Sequence, residues 1–326
     1  MSIESPTRVQ VFAHPHPEPR SYPLMLRTWT YALWKPILGF FLLVFGVMVL
    51  APLLLMPVLA AGLAIQDGGL SLASFEQALE VTKVTPANML YLNLSLASAT
   101  LVVFFILRFV HRLRPRWASS VRPGLRWRFL WACFGLSVIA MAAMLAVAMF
   151  LPGDPAEVKS DPNKITGTMV AIGLVVLLTT PLQAIGEEYA FRGYLLQVFG
   201  SISRSPIFAI LLTSLLFALM HGSQNVPLFA DRFVFGLMAG YVVWRTGGLE
   251  AGIALHVVNN LVAFGFALGF GDIDSALNVS EASWWNLPLT LTQNGLYLVL
   301  ALWLASRWGL KRTTEPPVLS PAPHPM

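Results

Sequence analysis

The sequence predicts an all-α, polytopic membrane helix bundle with about eight transmembrane helices and both termini in the cytoplasm. Hydrophobic residues make up 56% of its 326 residues and charged residues only 11%, whereas a soluble domain carries roughly a quarter charged residues. The mean hydropathy is +0.68. A chain with so few charges must expose much of its surface to lipid, which excludes an ordinary soluble protein.

The apolar runs supply the helices of this bundle. Because a spanning helix needs about 20 apolar residues, the pattern predicts eight spans: 37–65, 88–110, 129–151, 166–186, 206–222, 232–246, 248–270 and 286–306. Pro52 and Pro57 predict a kink in the first span. Helical character continues past the fourth span through 187–199. The sixth span is short, which is typical of a tilted or partly interfacial helix.

The distribution of Lys and Arg predicts the orientation of the bundle. With the N-terminus inside, sixteen of these residues lie on the cytoplasmic side and four outside, Arg192 within a helix being left out. Cytoplasmic loops carry such an excess, so we expect a multi-pass protein of the plasma or inner membrane. The net charge is +5 and the pI is about 9.6. We expect no nucleic-acid partner, because the charges cluster at the ends of apolar runs.

The domain organisation follows from the same pattern. Residues 1–33 predict a disordered cytoplasmic tail, 34–310 the transmembrane helical domain, and 311–326 a second, Pro-rich tail. The first apolar run is too long for a cleaved signal peptide. The single cysteine, Cys133, excludes a disulfide framework and a cysteine metal site.

Ionisable residues inside spans are few, and they are usually functional because their burial in lipid is expensive. Among the acidic residues and histidines, Glu187, Glu188, His221 and His256 lie well within helical segments, and Glu250 lies near a helix end; Asn260 follows His256 by one turn. At about 1.5 Å per helical residue, Glu187 lies about 20 Å from the turn at Gly200, and His221 about 22 Å beyond Pro206. His256 and Asn260 lie about 12 and 18 Å beyond Gly248. Three helices thus bring polar groups to overlapping depths.

The spacing of these residues predicts which of them interact with each other. Glu188 and Arg192 stand four residues apart in the order that favours an intrahelical ion pair, which leaves Glu187 to point elsewhere. His256 and Asn260 share one helix face, and Phe217, one turn before His221, is placed to line a pocket. Three simpler interpretations remain. The 187–192 segment could be a solvated surface helix, His256 with Asn260 an interhelical hydrogen-bond contact, and His221 an interfacial residue.

The ordered set E-E-x-x-x-R at 187–192, F-x-x-x-H at 217–221 and H-x-x-x-N at 256–260 resembles the CPBP family. These are type II CAAX prenyl endopeptidases and bacteriocin-processing or immunity membrane proteases. The resemblance covers about 165–270 and the eight-helix arrangement. It implies site residues at Glu187, Glu188, Arg192, His221, His256 and Asn260. It also implies an intramembrane endopeptidase, in a family often called metalloproteases although its best-studied branch resembles a glutamate-dependent protease.

The residues themselves predict how a peptide bond could be hydrolysed. Glu187 with His221 would activate a water molecule, and His256 with Asn260 would stabilise the oxyanion. A metal-dependent alternative stays open, with zinc or another divalent metal held by Glu187, His221 and His256. The expected partners are membrane lipid and a protein or peptide substrate with a lipidated or membrane-embedded segment. The rival interpretations are a transporter with a buried ion relay and a non-catalytic scaffold or immunity factor.

Overall fold

A computed structural model describes residues 14–80, 83–152 and 161–316, and within these ranges all regular elements are helical. The helices are α1 (Trp34–Asp67), α2 (Leu72–Glu80), α3 (Pro86–Phe109), α4 (Trp127–Ala148), α5 (Gly167–Ser203), α6 (Pro206–Leu219), α7 (Val226–Thr246), α8 (Glu250–Phe270), α9 (Ile273–Leu277) and α10 (Asn286–Arg307). The predicted all-α membrane bundle is confirmed.

Seven of the eight predicted spans correspond to helices that are long and apolar enough to cross a membrane, among the residues described. They are α1, α3, α4, α5, α7, α8 and α10. The eighth, predicted at 206–222, is the 14-residue apolar helix α6. At 1.5 Å per residue it is about 21 Å long, shorter than a hydrocarbon core of about 30 Å.

Helix α7 begins six residues earlier than predicted. The prediction of a short sixth span at 232–246 is therefore wrong in its start and length. The Asn225 side chain accepts a hydrogen bond from the Leu228 backbone N–H, and Pro227 occupies the first turn, where a missing N–H is tolerated. The resulting helix of 21 residues places Asp231 and Arg232 inside the bundle rather than in an outer loop.

Helix α5 continues for 37 residues, as predicted from the helical character of 187–199. Residues Tyr189–Leu195 form a π-helical segment within it, a deviation frequent at functional sites. Helix α1 likewise runs unbroken through Pro52 and Pro57, with a π-helical segment at Gly46–Leu50.

The loops gather at two ends of the bundle. The basic end consists of residues 14–33, 110–126, 204–205, 247–249 and 308–316, and the opposite end of 83–85, 161–166, 220–225 and 271–285. At the basic end, Ser21 pairs with Thr313, and the Thr314 backbone N–H donates to Arg20 O at 2.9 Å. The two terminal segments thus meet at one end. Helix α6 connects a loop at the basic end to a loop at the opposite end, as the seven longer helices do.

The segment 14–33 packs against the bundle, unlike the disordered tail predicted over 1–33. Tyr22, Met25 and Leu26 are buried, and Arg27 Nε donates to Ser201 O at 2.8 Å. Their apolar side chains cover the helix ends at the basic end, which hydropathy within the tail alone did not reveal. Residues 1–13, and most of the predicted C-terminal tail at 317–326, lie outside the described residues.

Two glycine residues allow close contact between two pairs of helices and so fix where along each helix the contact occurs. A Cβ at Gly186 would lie 2.3 Å from Leu96 O of α3, and one at Gly236 would lie 2.9 Å from Ser214 Cβ of α6. These positions permit backbone contacts that any side chain would prevent. The first lies directly before Glu187 and therefore fixes the level of that carboxylate against α3.

Two histidines outside the spans are buried as neutral rings. His16 Nε2 donates to Met25 O at 2.7 Å, and His111 Nε2 lies 2.8 Å from the Tyr194 hydroxyl. Burial lowers the pKa of His16 to about 4. Burial, with the nearby charge of Lys35, lowers the pKa of His111 to about 3.

These pKa shifts predict that acid destabilises the protein. Above pH 6.5, both rings are neutral in the folded and unfolded chains, so their full contribution is present. As the pH falls from about 6.5 towards 4 and 3, only the unfolded chain binds the protons. Each histidine should then remove about 1.4 kcal/mol of unfolding free energy per pH unit. Thermal unfolding between pH 8 and 5 should show a shallower decline in the His111→Gln protein than in wild type.

His14→Gln is the matched control, because His14 is only partly buried. It should follow the wild-type decline. Equal declines in all three proteins would contradict this account of the two buried histidines.

Candidate active site

The polar residues singled out by the sequence meet around one cavity of about 360 Å³. Helices α5, α6, α7, α8, α3 and α10 and the loop at the opposite end all contribute to its walls. The walls include Glu187, Phe217, His221, His256 and Asn260. The predicted wall position of Phe217 is confirmed, and the four polar groups share a single space.

Glu188 stands behind this cavity as the acceptor of a buried network. Arg192 Nη1 donates to Glu188 Oε1 at 2.8 Å, which confirms the predicted intrahelical pair. His256 Nδ1 donates to the same oxygen at 2.9 Å. The Glu188 side chain is 0% exposed and that of Arg192 2%. The ion pair thus connects α5 to the histidine of α8.

Aromatic rings enclose the guanidinium group of Arg192. Its central carbon lies 4.2 Å from the centre of the Phe217 ring and 5.6 Å from that of Phe235. A cation over an aromatic face is stabilised by the ring quadrupole. The same two rings meet His256 edge-on at 5.9 and 5.4 Å. Phe217 and Phe235 therefore pack against both the Arg192 guanidinium and the His256 ring.

Glycine at 252 leaves room for the Glu188 carboxylate. A Cβ at this position would lie 2.5 Å from Glu188 Oε2 and 3.0 Å from Val243 Cγ2. Oxygen Oε2 has no hydrogen-bond partner among the described residues. Close approach of α8 to α5 at Gly252 is therefore what allows His256 to reach Glu188.

Glu187 is held by a chain of side-chain amides. Gln183 Nε2 donates to Glu187 Oε1 at 2.5 Å, and Asn260 Nδ2 donates to Gln183 Oε1 at 3.1 Å. The second carboxylate oxygen, Glu187 Oε2, lies 3.5 Å from His256 Nε2. The carboxylate is 16% exposed, so it is oriented at the cavity wall and still open to a small molecule.

His221 lies in the turn that follows α6, two residues beyond the end of the helix. Its Nδ1 lies 2.7 Å from Phe217 O, which can only accept, so Nδ1 carries the proton. Nitrogen Nε2 of the neutral ring is therefore an acceptor. The ring lines the cavity and offers a hydrogen-bond acceptor for water.

The zinc alternative can be compared with the positions of its three proposed ligands. In the described ranges, no group of three or more His, Cys, Asp or Glu side chains is placed to hold a metal ion. His256 Nδ1 donates to Glu188 at 2.9 Å, and Nε2 lies 3.5 Å from Glu187 Oε2. Glu187, His221 and His256 thus line one cavity, but in the described ranges they do not form such a group.

Sequence reasoning missed several polar residues of the cavity: Asn93, Gln183, Asp231, Gln293 and Asn294. Gln183 could have been found, since it precedes Glu187 by one helical turn in an apolar run. Asp231 was missed because the start of α7 was placed too late. The amides on α3 and α10 carry no signal in the sequence beyond being polar residues within apolar spans.

One family model and two known proteins match this chain. Residues 169–262 match the family model described as type II CAAX prenyl endopeptidase Rce1-like, which confirms the resemblance drawn from the motifs. The chain is 24% identical to the uncharacterized protein YyaK of Bacillus subtilis (strain 168) over 212 residues, which cover 62% of this chain and 70% of that protein.

A second relative aligns with the chain over fewer residues. The chain is 31% identical to an uncharacterized 24.3 kDa protein of Escherichia coli over 130 residues, 39% of this chain and 58% of that protein. The match thus spans less than two thirds of this relative. No solved structure matches the chain.

The contact at Gly252 predicts a position that cannot accept a side chain. Gly252→Ala should lower the thermal stability, because the new Cβ would displace the Glu188 carboxylate and overpacking typically costs about 1–3 kcal/mol. Gly265→Ala on the same helix is the control, because a Cβ there meets nothing within 4 Å. Since Ala is the better helix former, its unfolding temperature should equal or exceed that of wild type. Equal stability of the two variants would contradict the proposed packing.

Proposed function

We propose, on the premise of this family match, that the chain is an intramembrane endopeptidase in which Glu187 activates the water that attacks the peptide bond. One observation carries the proposal. Glu187 stands at a cavity wall with one oxygen held by Gln183 and the other 3.5 Å from His256 Nε2. A carboxylate that is oriented in this way and still partly exposed is arranged for proton transfer.

In the first step, Glu187 takes a proton from water as the water oxygen attacks the carbonyl carbon. His221 Nε2 accepts a hydrogen bond from the same water molecule, an assignment supported by the bond from Nδ1 to Phe217 O. Glu187 then returns the proton to the leaving nitrogen as the carbon–nitrogen bond breaks. This sequence needs neither a serine nor a cysteine nucleophile, and no step passes through a metal ion.

The negative charge that develops on the carbonyl oxygen is stabilised by His256 and Asn260. Asn260 uses its amide nitrogen to bond Gln183 at 3.1 Å, and its second N–H remains for the oxyanion. As an imidazolium, His256 offers Nε2–H to the oxyanion while Glu188 holds Nδ1–H. Preorganised donors of this kind are often the largest contribution to catalysis. Glu188 and Arg192 act as positioning residues, because they orient the histidine without touching the substrate.

The substrate we propose is a protein or peptide with a lipidated or membrane-embedded segment, since the cavity lies among membrane-spanning helices. Apolar residues such as Leu92, Leu96 and Phe264 supply part of its lining. The likeness to a CAAX prenyl endopeptidase model makes a farnesylated peptide a suitable probe. It does not restrict the natural substrate to prenylated proteins.

Substitutions of different residues should reduce activity by different amounts. Glu187→Gln keeps the shape of the side chain but removes the base, so turnover of an internally quenched farnesylated peptide should be undetectable. Asn260→Ala removes one oxyanion donor and should lower kcat about 10²–10³-fold. Dialysis of wild type against a chelator should leave turnover unchanged.

Thermal unfolding must show that each variant is folded before activities are compared. Glu188→Gln should lose activity mainly because the folded protein is destabilised, since breaking a buried ion pair costs about 3–5 kcal/mol. Wild-type turnover by a well-folded Glu187→Gln protein would contradict the mechanism. Activity lost on chelation and restored by stoichiometric zinc would replace it with a metal-dependent one.

We further propose that the basic end of the bundle faces the cytoplasm, in keeping with the excess of Lys and Arg on that side. Topology reporters fused at residues 118 and 315 should then read as internal. Fusions at 75 and 278, on the opposite side of the predicted topology, should read as external. An external signal at 118 would reverse the proposed orientation.

A further inference from the structure

Helix α10 brings two amide side chains to the active-site cavity from outside the segment that matches the family model. Gln293 and Asn294 line the same cavity as Glu187 and His256. They are 3% and 1% exposed. Both lie about two turns inside α10, and neither belongs to the motifs at 187–192, 217–221 and 256–260.

These two amides lack the hydrogen bonds that their neighbours have. Gln293 Nε2 and Asn294 Oδ1 are buried without a hydrogen-bond partner in the described part of the chain. On the same helix face, the Thr290 hydroxyl donates to Asp231, and Tyr297 OH donates to Ala251 O at 2.7 Å. The polar groups on either side of the pair are satisfied, and the pair between them is not.

Three other amides around the cavity, those of Asn93, Gln183 and Asn260, are paired. Asn93 Nδ2 donates to Thr179 and Thr180 Oγ1 at 2.8 and 3.1 Å. Gln183 both donates to Glu187 and accepts from Asn260. A buried polar group without a partner destabilises a folded protein. Two adjacent ones at the wall of a catalytic cavity point to a ligand that supplies the missing donor and acceptor.

We propose that Gln293 and Asn294 form a subsite that binds the backbone of the substrate beside the scissile bond. Gln293 Nε2 would donate to a substrate carbonyl, and Asn294 Oδ1 would accept from a substrate N–H. This inference rests on the proposed peptidase function. It names the recognised class as an extended peptide segment, whatever its side chains.

The chemistry of membrane substrates explains why such a subsite is needed. A peptide segment inside a membrane satisfies its backbone groups as a helix, and it loses those bonds when it is extended for cleavage. Unpaired backbone groups in an apolar setting are costly. One free donor and one free acceptor at the cavity wall replace part of what the extended segment loses. The subsite would therefore favour substrates that have unwound locally.

Near-isosteric apolar replacements, Gln293→Met and Asn294→Leu, test the subsite. Each should weaken binding of a fluorescent farnesylated peptide to the Glu187→Gln protein in nanodiscs by about tenfold, the loss expected for a hydrogen bond left without its partner. Each should leave the unfolding temperature of the free protein equal or higher, because an unpaired polar group has been removed. Gly295→Ala is the control, since a Cβ there meets nothing within 4 Å.

Ester substitution in the peptide locates the contact. Replacing single backbone N–H groups by ester oxygens should reveal one position whose loss weakens binding to the parent protein about tenfold but adds nothing to Asn294→Leu. Such non-additivity identifies a direct interaction. A merely structural role of Asn294 would not produce it.

The outcomes separate this inference from the proposed function. Unchanged peptide affinity in both variants, affinity lost together with thermal stability, or absence of saturable peptide binding would overturn the subsite. A peptide that binds through Gln293 and Asn294 but is not cleaved by wild type supports the subsite and contradicts the hydrolase. Cleavage of the peptide by both variants with the wild-type KM supports the hydrolase and contradicts the subsite.

Discussion

The buried ion pair between Glu188 and Arg192 is the constraint on which the rest of the site depends. Two opposite charges 2.8 Å apart are almost completely removed from solvent among apolar helices. Burial removes the hydration of both groups, and contacts within the bundle must offset that loss. His256 supplies a second donor to the carboxylate, and the rings of Phe217 and Phe235 enclose the guanidinium. Glycine 252 gives the carboxylate its space. The pair thus fixes α5, α6, α7 and α8 relative to one another.

The position of Glu187 follows from that arrangement. Glu187 directly precedes Glu188 on the same helix, and with Glu188 committed to the ion pair it lies at the cavity wall. Gly186 sets its height against α3, and Gln183 orients one of its oxygens. His256 is held by Glu188 and faces Glu187, so one imidazole ring contacts both the buried ion pair and the proposed base. Because Glu188 is committed to the ion pair, the neighbouring carboxylate of Glu187 is left oriented and accessible at the cavity wall.

Much of the architecture could be predicted from sequence, because spans and intrahelical pairs depend on local spacing. The eight apolar runs, the Glu188–Arg192 pair and the convergence of three helices at one depth all follow from periodicity. Contacts between helices do not. The bond from His256 to Glu188, the amide chain through Gln183 and the unpaired amides of α10 depend on how helices distant in sequence rotate against each other. The packed segment 14–33 was missed for a similar reason, since its apolar residues are buried only against other segments.

The most direct test of the central claim is a comparison of membrane peptides from host cells that express wild type or Glu187→Gln at equal levels. Mass spectrometry of newly formed C-termini identifies bonds cut within or beside membrane segments. The account predicts at least one such terminus that is present with wild type and absent with the variant, while the variant remains folded in the membrane. The same set of termini from both proteins would contradict the claim that Glu187 activates the water for hydrolysis.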